Sequence, residues 1–139
     1  MSHRVVLDNE AVQALSGPNH PKHRKVLSHL QVVATRKSKA QQVAIVVPTS
    51  VRVEAGWDRT DRTWTLANGL GIADVGLDAG HANLATAIRG RVGIQISVVD
   101  AHVGAVIQSS TAHRVTVITS DRADMRAVAE TMAVVVVTI

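Results

Sequence analysis

The sequence contains no cysteine, no phenylalanine and no tyrosine, and Trp57 and Trp64 are its only tryptophans. Without cysteine there is no disulfide, no thiolate zinc site and no thiol nucleophile, which fits an intracellular setting. The shortage of aromatic rings argues against single-strand binders of the RRM or OB type, which stack bases on several exposed rings. Long apolar runs are also missing. The opening MSHRVVLDNEAV is interrupted by Asp8 and Glu10, and the closing AVVVVTI falls far short of the roughly 20 residues a spanning helix needs. The expectation is a soluble, cytoplasmic protein with no membrane partner. The patterns G-x-x-x-x-G-K, G-x-G-x-x-G, G-x-S-x-G and H-E-x-x-H are absent as well. That disfavours nucleotide-binding loops, serine hydrolases and histidine-based zinc sites.

What is present is a chain of 139 residues, 46% apolar, whose core must be built from Val, Ala, Leu and Ile. That length suits a single domain over residues 1–139 with a substantial interior. Acidic residues are missing between Ala11 and Val53, where Lys22, Arg24, Lys25, Arg36, Lys37, Lys39 and Arg52 give +7; the remainder holds 8 Lys and Arg against 11 Asp and Glu. A basic face joined to an acidic remainder suits a polyanion, because positive potential offsets phosphate charge and speeds encounter. A solvated helix surface would give the same pattern.

Hydrophobic periodicity predicts strands at 4–7, 42–47, 71–76, 114–120 and 133–139. Helices are predicted at 9–15, closed by Gly17-Pro18; from Pro21 to 37; from Pro48 through 57; over 77–90, ended by Gly90; and over 97–110 and 121–132. Residues 58–70 read as helical or irregular. Strands that alternate with helices and carry continuous apolar runs imply a mainly parallel sheet covered on both faces. In such sheets, sites collect beyond the carboxyl ends of the strands.

That rule singles out the acids. Asp8 follows the first strand, and Asp121 follows Thr119 and Ser120 at the end of another. Glu54 lies in the helix after the second strand, on what reads as a coreward surface, and Asp100 lies near the start of its helix. Convergent carboxylates cannot all stay ionised without a counter-charge. Oxygen-only ligands suit Mg²⁺ or Mn²⁺, which implies metal-assisted phosphodiester hydrolysis. Each acid also has a plainer role: Asp8, Asp121 or Ser120 as helix caps, and Asp100 and Asp124 as favourable charges in first turns. Six of the seven histidines, at 20, 23, 29, 81, 102 and 113, read as surface or helix-end residues. A phosphatase using Asp8 as nucleophile would need a lysine near a strand end, and none of the lysines at 22, 25, 37 and 39 is well placed.

Taken in order, VVLDNEAVQAL, VPTSVRVEAGW, ISVVDAHVGAVI and VITSDRADM resemble the motifs of PIN-domain ribonucleases, particularly the toxins of VapBC-type toxin–antitoxin pairs. The resemblance runs along nearly the whole chain. It implies a three-layer α/β/α sandwich, Mg²⁺-dependent endoribonuclease activity, a homodimer, and inhibition by a small antitoxin whose tail enters an acid-lined groove. It matches Asp8, Glu54, Asp100 and Asp121 to the acidic metal-site positions and Asp124 to a further acidic one. Thr119 or Ser120 would hold a metal-bound water or orient an acid. Lys22, Arg24, Lys25, Arg36, Lys37, Lys39 and Arg122 are candidates for contacts to the RNA backbone. The chain departs from the pattern after its first Asp, where Asn9 and Glu10 replace the usual small residue and Asn9 could supply the polar contact. The alternative without catalysis is a domain whose acids are caps and whose basic face binds nucleic acid or a protein partner.

Overall fold

The computed structural model describes residues 2–37 and 42–139, with the side chains of 34–37 outside that description. Lys39 and the side chains of Arg36 and Lys37 therefore lie outside the described residues. The elements are β1 (Ser2–Leu7), α1 (Asn9–Ala14), α2 (His23–Lys37), β2 (Gln42–Pro48), α3 (Thr49–Ala55), a 3₁₀ turn (Arg62–Trp64), α4 (Thr65–Asn68), β3 (Ala73–Val75), α5 (Ala79–Val92), α6 (Val98–Gln108), β4 (Arg114–Thr119), α7 (Arg122–Ala129) and β5 (Val135–Thr138).

The strands form one five-stranded, all-parallel sheet in the order β3-β2-β1-β4-β5. Chain order runs outward from β1 in one direction to β3, then returns to β4 on the other side of β1. With right-handed crossovers, that reversal sends helices to opposite faces. Val5, Thr116 and Ile118 share a groove with His29 and Val33 of α2, so the alternate residues Val6 and Val117 face the other way, toward α6 and α7. The result is a three-layer α/β/α sandwich. The sheet's inner residues Val5, Val6, Leu7, Val117 and Ile118 are essentially inaccessible, as strands covered on both faces require. Among the described residues, no helix is long and apolar enough to cross a membrane.

Several boundaries differ from the periodicity. Helix α2 starts at His23 rather than Pro21, because the buried His23 Nδ1 bonds the Ala14 carbonyl at 2.7 Å and ties the helix start to α1. Helix α5 continues through Gly90 and stops at Gly93, whose φ of +135° few other residues adopt. Helix α7 ends at Ala129, where Glu130 takes φ +52°. The Glu130 carboxylate accepts bonds from Arg91 at 2.7 Å and Gln108 at 2.6 Å, which offset the backbone strain. The 58–70 region folds back on Trp57, which packs in the core stacked on Trp64, with the Arg59 guanidinium 4.4 Å above its ring. Arg59 and Arg52 both bind Asp74, so Arg52, one of the seven cations of the acid-free stretch, is committed to the fold.

Helix α6 is buried from Ala101 to Ile107 because it is wedged between α5 and α7. The approach of α7 depends on Gly104: a Cβ there would lie 2.7 Å from Val128 Cβ and 2.9 Å from the Val128 carbonyl. Gly104→Ala is therefore expected to lower the unfolding free energy by about 1–3 kcal/mol through overpacking. Urea denaturation monitored by Trp fluorescence measures this, and an unchanged midpoint would contradict the close packing of α6 on α7.

Candidate functional site

The site begins with strand register. Strands β1 and β4 pair with Leu7 against Ile118, so the next residues, Asp8 and Thr119, emerge side by side at the carboxyl end of the sheet. This is where strand order reverses, the crevice in which open α/β sheets bind ligands. The Asp8 amide donates to the Ile118 carbonyl at 3.1 Å. Asp8 occupies the cap position of α1, yet its side chain makes no capping bond. It turns inward instead, only 6% exposed, and accepts a 2.7 Å bond from the Thr119 hydroxyl. Thr119, fully buried, also accepts from the Asp121 amide at 2.9 Å. One donor and one acceptor bond fix the hydroxyl's orientation. Capping does not account for Asp8.

Asp121 does cap a helix. Its Oδ1 accepts from the Asp124 amide at 3.1 Å at the start of α7. Ser120 is exposed and does not take that role. Asp100 sits in the first turn of α6, its amide bonded to Ser97 Oγ at 3.0 Å, with its side chain half-buried. Glu54 is exposed, which corrects the expectation of a coreward carboxylate. Helix α3 is short and lies at the rim, where Val51 is the buried residue and Val53 is 83% exposed.

Electrostatics bind these acids into one group. Burial, followed by repulsion from Asp8, Asp124 and Asp121, pushes the Asp100 carboxyl up to about 6. Burial raises the pKa of Asp8, with Asp121 adding to it and the Thr119 bond opposing it. Burial and then Asp8 raise Glu54. A shared hydrogen bond with Asp121, then burial, raises Asp124. The charges responsible are carboxylates throughout. Oxygen donors brought together at this cost fit a hard divalent cation in their chemistry. As the side chains stand, no three His, Asp or Glu among the described residues converge closely enough to hold one ion, so the donor set is assembled but not closed.

The basic candidates divide. Lys22 and His20 both reach Glu10, at 3.7 Å and 3.3 Å, which gives Glu10 a place two residues beyond Asp8. Arg24 and Lys25 are exposed on α2. Arg122 is exposed beside the acids and reaches toward the Val136 carbonyl at 3.4 Å. The Asn9 side chain accepts from Gln13 along α1, and it is the Asn9 backbone amide that bonds the Asp8 carboxylate. No hydrogen bond or ion pair links a lysine to Asp8 among the described residues, as the phosphatase alternative would need.

Histidine and serine supply what sequence reasoning missed. His23 and His102 are buried, not superficial, and so is His3. Burial holds His102 below the usual histidine range despite the neighbouring Gly76 backbone. Its Nδ1 meets Ser50 Oγ at 2.6 Å. Ser50 precedes Glu54 by one helical turn and His102 follows Asp100 by two residues; that adjacency in sequence was the available signal. Asp78, His81 and Ser109 also align, at 2.9 Å and 3.2 Å. However, the Asp78 side chain is 68% exposed, and Ser109 stands at the C-terminal end of α6, where helix carbonyls oppose an oxyanion.

No family model matches the chain, and the comparison with curated proteins gives no match.

The raised acids fix the direction of a pH effect. Asp100 titrates near the ordinary carboxylate value of 3.8 when unfolded and at about 6 when folded. The folded state therefore holds the proton more tightly, and this group costs nothing below the unfolded value but destabilises increasingly as pH rises through 6. In metal-free buffer, Asp100→Asn is expected to raise the unfolding free energy at pH 7.5 by roughly 1–2 kcal/mol, allowing for partial solvent screening. The gain should vanish at pH 4. Chemical denaturation of both proteins at the two pH values measures it; equal stability at pH 7.5 would remove the strain assigned to the acids.

Proposed function

We propose that this protein is a metal-dependent endoribonuclease that cleaves RNA phosphodiester bonds, the toxin of a toxin–antitoxin pair. The observation that carries the reading is Asp8. It is a buried carboxylate at the strand-order reversal, turned away from its capping role and surrounded by Asp100, Asp121, Asp124 and Glu54. Specificity for RNA rests on the four motifs that resemble PIN-domain ribonucleases. So do the homodimer, the antitoxin partner and action in the cytoplasm.

In this reading Asp8, Asp100 and Asp121 would hold Mg²⁺, or Mn²⁺ in its place, with Glu54 at the rim. The bound ion supplies Lewis acidity toward a phosphoryl oxygen and lowers the pKa of a coordinated water. Thr119 engages one oxygen of the Asp8 carboxylate and so restrains its orientation. Asp124 adds negative charge behind Asp121. Glu54, the most accessible of the acids, is suited to take the proton of the attacking water. Arg24, Lys25 and Arg122 are suited to the flanking phosphates, while Lys22 is shared with Glu10.

A second reading has one observation in its favour. Asp121 caps α7 and the acids do not close on one point, as expected of a module that binds nucleic acid or a protein without catalysis. Incubation with total RNA separates the two. The enzyme cuts RNA in Mg²⁺, stops with EDTA, and loses cleavage in Asp8→Asn and Asp100→Asn while circular dichroism shows the fold retained. Binding without cleavage in either condition, or undiminished cutting by both variants, would sink the proposal. Charge reversal at Arg24 and Lys25 should weaken RNA binding and flatten its salt dependence, by a log–log slope of about 0.7–0.9 for each phosphate no longer neutralised. Filter binding across a salt series would reveal an unchanged slope if these side chains do not meet phosphate.

A further inference from the structure

The Ser50–His102 pair, its histidine fully buried and its serine half-buried, is polar and unused by the chemistry above. His102 has no exposed surface, and among the described residues its Nε2 is the one buried side-chain polar atom with no hydrogen-bond partner. A histidine is a poor filler for such a position, since it costs desolvation that an apolar residue of similar size would avoid. What it gains is the 2.6 Å bond to Ser50, which joins two helices packed against each other, α3 and α6. Ser50 and Glu54 are one turn apart and share a face of α3. His102 lies in the same turn of α6 as Asp100. A bond between them fixes the rotation of α3 relative to α6, and with it the separation of Glu54 from the aspartates.

We propose that the Ser50–His102 hydrogen bond is a positioning clamp that sets the rim carboxylate Glu54 against Asp8 and Asp100. The proposal rests on the reading of these acids as a metal-binding, RNA-cleaving site. Neither Ser50 nor His102 touches the reacting atoms. Their effect passes through the helix axes, and a displacement of about 1 Å in such a constellation can cost as much as 100-fold in rate.

The test compares wild type with Ser50→Ala, Ser50→Thr and Thr116→Val. Thr116→Val is a control for lost stability, since it breaks another buried histidine bond, His3 Nε2 to Thr116 Oγ1 at 2.8 Å, in the groove facing α2. Two quantities are read on each folded protein: Mn²⁺ affinity by electron paramagnetic resonance, and kcat and KM for RNA cleavage at saturating Mg²⁺. Ser50→Ala should bind Mn²⁺ about 10-fold or more weakly and lose a similar factor in kcat, as supporting residues of metal sites do. Its KM should be unchanged. Ser50→Thr, which keeps the hydroxyl, should restore both, and Thr116→Val should leave both unchanged. If wild type binds Mn²⁺ and cuts RNA while Ser50→Ala does so equally well, the clamp is overturned and the enzymatic reading stands. If Thr116→Val loses as much as Ser50→Ala, the bond only stabilises the fold and the clamp is again overturned. A wild type that neither binds Mn²⁺ nor cuts RNA overturns both.

Discussion

Parallel pairing of β1 with β4, in the register that sets Leu7 against Ile118, is the constraint on which the acid cluster depends. Neither strand neighbours the other in sequence, and the pairing closes only after β2, β3 and the helices from α1 to α6 have been laid down. It has two consequences at once. It reverses the direction of strand order, which splits the helices between the two faces and opens a crevice. It also delivers Asp8 and Thr119 to that crevice as neighbours. A slip of one residue would turn Asp8 toward the opposite face and replace the 2.7 Å bond with an unpaired buried carboxylate. The apolar runs on both sides of β1 and β4 resist that slip, so the core guards the geometry of the site.

The cluster opposes the stability of the fold that supports it. Asp8, Asp100, Glu54 and Asp124 are all driven toward protonation by burial and by one another. Elsewhere the carboxylates are well partnered: Glu130 by Arg91 and Gln108, Asp74 by two arginines, Asp78 by the His81 amide. A protein that pairs its structural acids this consistently, and leaves one group to repel itself, concentrates its electrostatic cost in one crevice. Such concentration is what a site built for a cationic ligand requires, and it is not what helix capping alone would produce.

The parts legible in the sequence were those governed by local rules. Apolar runs rich in valine marked four of the strands and the weaker GIADVG the fifth, and their alternation with helices implied the parallel sheet and the location of Asp8, Asp100 and Asp121 at one end. The rest depends on distant partners. Glu54 read as coreward from its spacing to Val51, but α3 ends after Ala55 at the rim, so the face that spacing defines is only partly covered. His102 read as superficial because imidazole is acceptable both in water and in a core; only the approach of Ser50, 52 positions away, decides between them. The extension of α5 past Gly90 reflects packing against α6, which outweighs the modest helix cost of a single glycine.

Asp121 shows why the choice between cap and site is a false one. The bond from the Asp124 amide engages Oδ1 and holds the residue at the N-terminus of α7. Thr119 meanwhile holds its backbone and ties it to Asp8. The cap therefore acts as the positioning device: it orients the carboxylate at the start of α7, while the close packing of Gly104 on Val128 sets the approach of that helix's other end to α6. Asp8 reaches the same crevice by the opposite route, giving up its capping position to bond Thr119. One hydroxyl thus ties the Asp8 carboxylate to the Asp121 backbone, two residues whose local roles differ. The same logic extends to the basic side of the molecule. Glu10 draws Lys22 and His20 toward the start of α1, and Asp74 withdraws Arg52 into the fold. The positive charge of the acid-free stretch left for a polyanion is narrower than composition alone implied: among its described side chains Arg24 and Lys25 of α2 are the exposed ones, with Arg122 exposed beside the acids.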